Sequence, residues 1–275
     1  MSFSVNTNTG AMAALQSLTA TNKGLATTQS RINTGLNVAS AKDDSASFAI
    51  AQTLRGDVGS LKAVTSSLNR AKSSVDVAVA GAEQISDLMN QMRAKALEAS
   101  DTGMDDTSRT AIAKDVDALK EQINTIIDSS SFNSTNLLKG PAASGSSVSA
   151  LQSTDAAAAK LTVANQDVSA LVTAIGATFT DAASAATMMG NIDTQHALLK
   201  GKLSDLGSAA RKIDGQVSFT SKLSDVIESG IGNMVDADLA KESAKLQALQ
   251  VKQQLGLQAL SIANQAPQSI MSLFR

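Results

Sequence analysis

The chain of 275 residues holds one histidine, His196, and no cysteine. Nucleophilic catalysis pairs an attacking group with a base that a third residue orients. With one imidazole and no thiol, no such constellation can be built, and His196 reads as a partly buried or rim residue of a helical seam rather than a catalytic base. Thiolate metal sites, thiol nucleophiles and disulfides are excluded outright. Two acidic stretches could hold a cation. Asp43-Asp44 has no His or third acid close by, and it stands where an N-cap is expected. Asp101-Thr102-Gly103-Met104-Asp105-Asp106 lacks the D-x-D-x-D-G order of a calcium loop, so Asp106 or Thr107 is expected to cap the next helix. The residues that could do chemistry therefore predict none: no catalytic site, no cofactor and no metal.

Composition narrows the class further. The net charge is -2, hydrophobic residues make up 43%, and aromatics only 2%, with no Trp, no Tyr and six Phe. No Lys/Arg-rich run and no base-stacking aromatics are present, which argues against nucleic-acid binding. No stretch reaches the roughly 18 apolar residues of a membrane span. Met1 to Asn6 has neither a basic region nor an apolar run, so no cleaved secretory signal is expected and an extracellular fate would need another export route. An interior built of Ala, Leu, Ile, Val and Met suits slender helix packing.

The elements that fill this composition repeat in sevens. Leu61, Leu68, Val75, Ala82, Met89 and Ala96 form one row; Val64, Ala71, Ala78, Ile85, Met92 and Ala99 form a second. An unbroken heptad of this length is a helix packed along its whole length, a rod of about 60 Å at 1.5 Å per residue. A short helix, Ser45 to Gly56, is expected before it. After the acidic loop, Ile112, Val116, Leu119, Ile123 and Ile126 predict a helix folded back antiparallel on the rod. From Ala185 a second rod carries Ile192, Leu199, Leu206, Ile213, Thr220 and Ile227, with His196 in its companion row, until Gly230-Ile231-Gly232-Asn233 breaks it. Between the rods, residues 140–184 are rich in Ala, Ser and Thr; Lys160 to Val163 and Val168 to Ile175 are expected to be hairpin strands.

Each end of the chain carries a further helix. At the N-terminus Leu15, Leu18, Asn22, Leu25, Gln29, Ile32 and Leu36 follow a heptad whose polar members would set register. At the C-terminus Ala237 to Ala263 has two apolar rows, one of Leu246, Leu249 and Leu260, the other of Ala244, Ala248, Val251, Leu255, Ala259 and Ile262. A helix apolar on two sides cannot be satisfied by one partner. Pro267 and the apolar end through Leu273 and Phe274 close the chain. The expected fold is all-α: an elongated antiparallel helical coiled-coil bundle with a small β-hairpin-like insertion. Its parts are residues 1–36, 37–139, 140–184, 185–230 and 231–275. The rod core is Leu61, Leu68, Val75, Ile85, Met92, Leu119, Ile192, Leu199, Leu206 and Ile213. Terminal seams without a partner in one chain suggest self-assembly into open helical filaments.

The termini resemble those of bacterial flagellins, of the short alphaproteobacterial kind. The likeness is carried by Val5-Asn6-Thr7-Asn8, by Ser30-Arg31-Ile32-Asn33-Thr34-Gly35-Leu36, and by Ala39-Ser40-Ala41-Lys42-Asp43-Asp44-Ser45-Ala46. At the other end it is carried by Asp236-Ala237-Asp238-Leu239-Ala240-Lys241-Glu242, Ala263-Asn264-Gln265-Ala266-Pro267-Gln268 and Ser272-Leu273-Phe274-Arg275. The resemblance covers roughly residues 1–140 and 185–275. It implies a filament subunit for motility, with residues 1–36 and 231–275 as inner-tube helices, the rods as an outer tube and 140–184 as a short surface insertion. Subunit contacts would then fall on Leu15, Leu18, Leu25, Ile32, Leu246, Leu249, Val251, Leu255, Leu260, Ile262, Leu273 and Phe274.

The same resemblance implies an extracellular location, reached by the flagellar type III route without a cleaved signal peptide. The implied partners are copies of itself, other flagellins, the export apparatus and an export chaperone, and the filament cap and hook–filament junction proteins. A junction protein is the alternative reading, and a signalling coiled coil a more distant one that lacks the terminal signatures. One departure concerns the stretch sensed by the vertebrate toll-like receptor, close to L-Q-R-V-R-E-L-A-V-Q in sensed flagellins. Here it reads Met89-Asn90-Gln91-Met92-Arg93-Ala94-Lys95-Ala96-Leu97-Glu98. Arg93 is kept, while Gln91 and Lys95 replace an arginine and a leucine on one helix face, which the heptad directs away from the seam. Weak receptor activation is expected.

Overall fold

The computed structural model describes residues 7–140, 147–155 and 157–273, and in the last helix the side chains as far as Gln265. Among the described residues it forms six α-helices and two small antiparallel sheets. In chain order these are α1 (Thr9–Thr34), α2 (Ser45–Ala99), α3 (Asp106–Ser129), β1 (Ser131–Phe132), β2 (Thr135–Asn136), β3 (Ser147–Ala150), β4 (Leu161–Ala164), α4 (Ser169–Ala174), α5 (Ala182–Val235) and α6 (Leu239–Leu273). The chain divides into two units, residues 1–56 with 226–275, and residues 57–225.

In the unit of residues 57–225 both rows of the α2 heptad are buried, from Leu61 and Val64 to Ala96 and Ala99. From Val64 onward they share one core with Ile112, Val116 and Ile123 of α3 and with Ile192, Leu199, Leu206 and Ile213 of α5, and Leu119 packs half-buried against it. Ion pairs along the flanks give the directions. Lys72 pairs with Asp214 and Arg93 with Asp193, so α2 and α5 are antiparallel; Lys95 pairs with Asp115, so α3 folds back on α2. Lys139 pairs with Asp128 beyond α3.

The insertion departs from its expected form. Leu161 to Ala164 is a strand, but its partner is Ser147–Ala150. Residues 169–174 are helical, because Leu171, Val172 and Ile175 bury one helical face and Asp167 Oδ1 accepts from Ala170 N. The hairpin of β1 and β2 was not expected at all. Asn133 and Ser134 at its tip have φ of 49° and 62°, the pair of positive angles that a two-residue turn matched to strand twist requires.

Helix ends also differ from the expected ones. The segment Ser45 to Gly56 is no separate helix; α2 runs through Gly56 and Gly59. Each glycine costs about 1 kcal/mol of helix propensity, and the helix carries both between the buried Ala51 and Leu61. Gly230 and Gly232 likewise do not break α5, which ends at Val235. The chain turns at Asp236, which bridges to Leu36, and Asp238 Oδ1 then accepts from Ala240 N and Lys241 N to start α6. Pro267 does not end α6. The cap of α3 is Asp105, whose carboxylate accepts from Ser108 N at 2.8 Å, rather than Asp106 or Thr107. Hydrogen bonds from Ser108 hold its pKa below the usual carboxylate value.

Candidate assembly surfaces

In the unit that holds both chain ends, α1 and α6 pack antiparallel along each other. Gly24 stands against Leu249, with the methyls 3.5 Å and 3.6 Å from where a Cβ would lie, and Gly256 stands reciprocally against Leu18 at 3.4 Å. Asn22 Oδ1 accepts from Gln253 Nε2 at 2.8 Å across the pair. Backbone bonds from Asn37 N and Val38 N to Val235 O, and from Ala237 N to Gly35 O, close the end where the two helices meet. The expectation that the terminal seams lack a partner within one chain is thus corrected: each is the other's partner.

The α1 seam is also framed differently from the expected row. Its covered positions are Ala11, Ala14, Leu18, Thr21, Leu25, Thr28 and Ile32, a 3-4 alternation in which Thr28 is fully buried. Asn22 and Gln29 are exposed and outside it, and Leu15 is 54% exposed. On α6 the row of Leu246, Leu249 and Leu260 is half-buried against α1. The second row stays open: Ala244, Ala248 and Ala259 are exposed, and Val251, Leu255 and Ile262 are 55%, 57% and 69% exposed. Leu239 and Leu257 of α6 and Met12 of α1 are exposed as well. The side chain of Leu273 and the whole of Phe274 lie outside the described residues.

Asp43 and Asp44 do the local work of the connector. Asp43 Oδ2 accepts from Ala39 N, Ser40 N and Ser40 Oγ; Asp44 accepts from Ala46 N, Ser47 N and Ser47 Oγ and caps α2. Those hydrogen bonds, from Ser40 and Ser47 first, hold both pKa values below the usual carboxylate range. Among the described residues no group of three His, Cys, Asp or Glu side chains is placed to hold a metal ion.

In the unit of residues 57–225, His196 Nε2 lies 2.9 Å from Ser86 Oγ, a pairing that would suit a nucleophile and base. The imidazole is only 6% exposed within the helical seam, too closed for a substrate, and the nearby Asp193 carboxylate is engaged by Arg93. Burial, more than the charge of Lys200, pushes its pKa down. The Gln91 and Lys95 face opens on a groove between α2 and α3 that Glu98, Asp115, Leu119 and Gln122 also line. Lys95 Nζ donates to Asp115 Oδ2 at 3.0 Å, so this face is turned to α3 rather than simply away from the seam. Phe219 and Leu223 of α5, four residues apart, are exposed apolar residues that no heptad row singled out.

Paired terminal helices whose second member keeps an open apolar row leave surface to spare for partners. The chain belongs to the bacterial flagellin family: residues 5–143 match the bacterial flagellin N-terminal helical region and residues 189–274 the C-terminal helical region. It is 45% identical over 272 residues to flagellin FljM of Caulobacter vibrioides, covering 99% of this chain and 98% of that one. Two solved structures share its fold. The crystal structure of Bacillus cereus flagellin gives a TM-score of 0.50 at 24% identity, over 55% of this chain and 86% of that one. A Vibrio parahaemolyticus structure described as a flagellar hook-associated protein gives 0.57 at 12% identity, over 70% and 100%. The full-length identity to a flagellin favours a filament subunit over a hook-associated role. As a flagellin, the chain is a structural molecule that self-assembles into the extracellular filament of the bacterial flagellum. No helix among the described residues is long and apolar enough to cross a membrane.

Proposed function

We propose that the α1–α6 pair is the inner contact layer of the filament and residues 57–225 the outer one. Other copies would then cover the open row of α6 together with Met12 and Leu15. The observation that carries this reading is Val251, Leu255 and Ile262, each more than half exposed on a helix whose other side α1 already covers. Removing such surface from water is favourable by about 25 cal/mol per Å². Only a heterologous contact, repeated without closing, turns that into a filament.

Family membership supports the rest of the reading. The chain would leave the cell by the flagellar type III route without a cleaved signal peptide, meeting the export apparatus and an export chaperone. The filament cap would then place it on hook–filament junction proteins, among other flagellins. A structural role in the filament calls for neither catalysis nor a cofactor.

Electron microscopy of depolymerised protein left to reassemble tests the reading, with Leu255→Asp and Ile262→Asp beside the parent chain. The parent is expected to form long uniform filaments. Either variant is expected to stay a monomer with unchanged helix content by circular dichroism. Normal filaments from both variants would show that the open row is not the contact.

A further inference from the structure

The seam between α1 and α6 is made of interchangeable parts. Apart from Thr21 and the Asn22–Gln253 bond at its edge, the seam away from the turn is small or aliphatic: Ala11, Ala14, Leu18 and Leu25 on α1, and Leu246, Leu249, Gly256 and Leu260 on α6, with Leu18 against Gly256 and Gly24 against Leu249. A seam of that kind would also accept a second α1 against α1, or a second α6 against α6. In an assembly of many copies these wrong pairings compete at every site.

One cluster interrupts it. Arg31 Nη1 donates to Glu242 Oε1 at 3.3 Å, and Lys245 Nζ lies 3.7 Å from the same oxygen. Thr28 and Glu242 are 0% and 8% exposed; Arg31 Nε is buried without a hydrogen-bond partner, and the Thr28 hydroxyl approaches the Glu242 carboxylate without a fully formed hydrogen bond. The cluster is partly buried, with the Arg31 and Glu242 side chains 26% and 10% exposed, and ion pairs of this kind with unmet polar atoms add little stability; apolar residues of like volume commonly do as well. What such a group gives in exchange is partner and register choice.

We propose that Arg31 and Glu242 are the specificity key of the terminal helices: they make α1 pair with α6, antiparallel, and exclude α1 with α1 and α6 with α6. Placement carries the argument. Arg31 lies in the last turn of α1 and Glu242 in the first turn of α6, each at the end its charge favours. Only the antiparallel α1–α6 pair brings the two charges to one end. Antiparallel α6 with α6 would bury each Glu242 at an opposite end with no arginine; α1 with α1 would leave each Arg31 without a carboxylate. Desolvation alone would raise the Glu242 pKa, but the polar groups of Thr28 and Arg31 and the charge of Lys245 outweigh it, and the net direction is down. The charged form is therefore the one the pair holds.

The absence of cysteine makes pairing directly readable. Asn22→Cys with Gln253→Cys reports α1 on α6 as an intrachain disulfide, since these side chains touch across the pair. Asn22→Cys alone, near the middle of α1, reports α1 on α1 as an interchain disulfide. Gln253→Cys alone does so for α6. The parent chain is expected to favour the intrachain product. Thr28→Val/Arg31→Met/Glu242→Leu is expected to keep its helix content and raise interchain disulfides of the single-cysteine chains several-fold. A pattern unchanged from the parent would overturn the proposal. Should that variant lose helix content, the charge swap decides: Arg31→Glu alone should raise interchain disulfides and adding Glu242→Arg should restore the parent pattern. No rise, or no restoration, overturns it. Dilute, unassembled protein is used, so a failure here is distinct from a failure to form filaments.

Discussion

Asn8 Nδ2 donates to Ala263 O at 2.7 Å, from the N-cap of one terminal helix to the C-terminal part of the other. Ala263 precedes Pro267 by four residues, and the proline nitrogen has no hydrogen to give, so this carbonyl lacks its donor within α6. The other end of the same amide, Asn8 Oδ1, accepts from Ala11 N at 3.0 Å and caps α1. One side chain starts a helix and satisfies another where proline interrupts it.

Two substitutions separate these roles. Asn8→Asp keeps the capping oxygen but sets a carboxylate against the Ala263 carbonyl; Asn8→Ala loses both bonds. Amide hydrogen exchange on assembled filaments should show residues 260–266 loosened by both changes. The first turn of α1 should loosen only with Ala, by about 1 kcal/mol, the usual worth of a cap. Unchanged exchange at 260–266 in Asn8→Asp would rule out the clasp.

The rods were legible in the sequence because their seams are apolar at every step of a strictly sevenfold count anchored by Leu, Ile, Val and Met: Leu61 to Ala99 in α2 and Ile192 to Ile213 in α5 are buried where the count puts them. The α1 seam was misframed because it runs through Ala11, Ala14, Thr21 and Thr28, which carry little hydrophobic signal, while the exposed Leu15 draws the frame one position aside. Helix ends differ from the expected ones at Gly56 and Gly230, and at α6, which runs past the expected Ala263 and through Pro267, for another reason. Propensity sees a breaker, but what keeps the helix is packing or, at Pro267, a donor from the opposite terminus. Glu242 stood in the sequence only as part of the stretch that carries the resemblance; the fold brings Arg31 and Thr28 to it.

Gly81 is a point of close approach in the packing of α2. A Cβ there would lie 2.4 Å from Ser130 Oγ and 2.9 Å from Leu138 Cδ1. Helix propensity alone would make Gly81→Ala favourable by about 1 kcal/mol. Overpacking should outweigh it, for a net loss of about 1–3 kcal/mol. Thermal unfolding of the monomer checks the sign: a higher midpoint for Gly81→Ala would contradict the close approach.

Arg109 closes the end of α2 from inside the fold. It is 5% exposed, Nε donates to Ala99 O at 3.0 Å, and Nη2 donates to Asp101 O at 2.9 Å and Met104 O at 3.1 Å. Nη1 also pairs with Asp106 at 2.8 Å. Lysine has the charge but not the fork. Arg109→Lys should leave carbonyls unmet at about 1–3 kcal/mol for each buried one. Urea unfolding should place Arg109→Met lower still or equal; a stability matching the parent in both variants would count against the cap.

Receptor recognition can be approached through the α2–α3 groove. Gln91 presents no cation there, and Lys95 is tied to Asp115. Against a receptor surface suited to an arginine and a leucine, each change should cost about 1 kcal/mol or more, together roughly two orders of magnitude in affinity. Depolymerised protein should therefore activate the toll-like receptor weakly in reporter cells. Gln91→Arg/Lys95→Leu should regain signal, more so with Asp115→Ala, which removes the carboxylate that Lys95 leaves unpaired. Strong signalling by the unaltered chain would refute this.

The pH response of the rods should run through His196. Its folded pKa is lowered from 6.5, by desolvation first and then by Lys200 and Arg93, with Asp193 opposing. A basic group whose pKa is lower in the folded state binds fewer protons there than in the unfolded chain. Stability from this group is therefore intact above the unfolded pKa. It falls as the pH drops through about 6.5, until the folded pKa is passed. Carboxylates such as Asp44, whose folded pKa is also lowered, lose their contribution at lower pH still. His196→Gln keeps a hydrogen-bonding group near Ser86 but cannot titrate. Urea midpoints of parent and variant monomers, compared between about pH 8 and about pH 5, isolate the difference. The parent should weaken more steeply than His196→Gln over that window. Parallel curves would mean that the imidazole takes up its proton without leaving the seam.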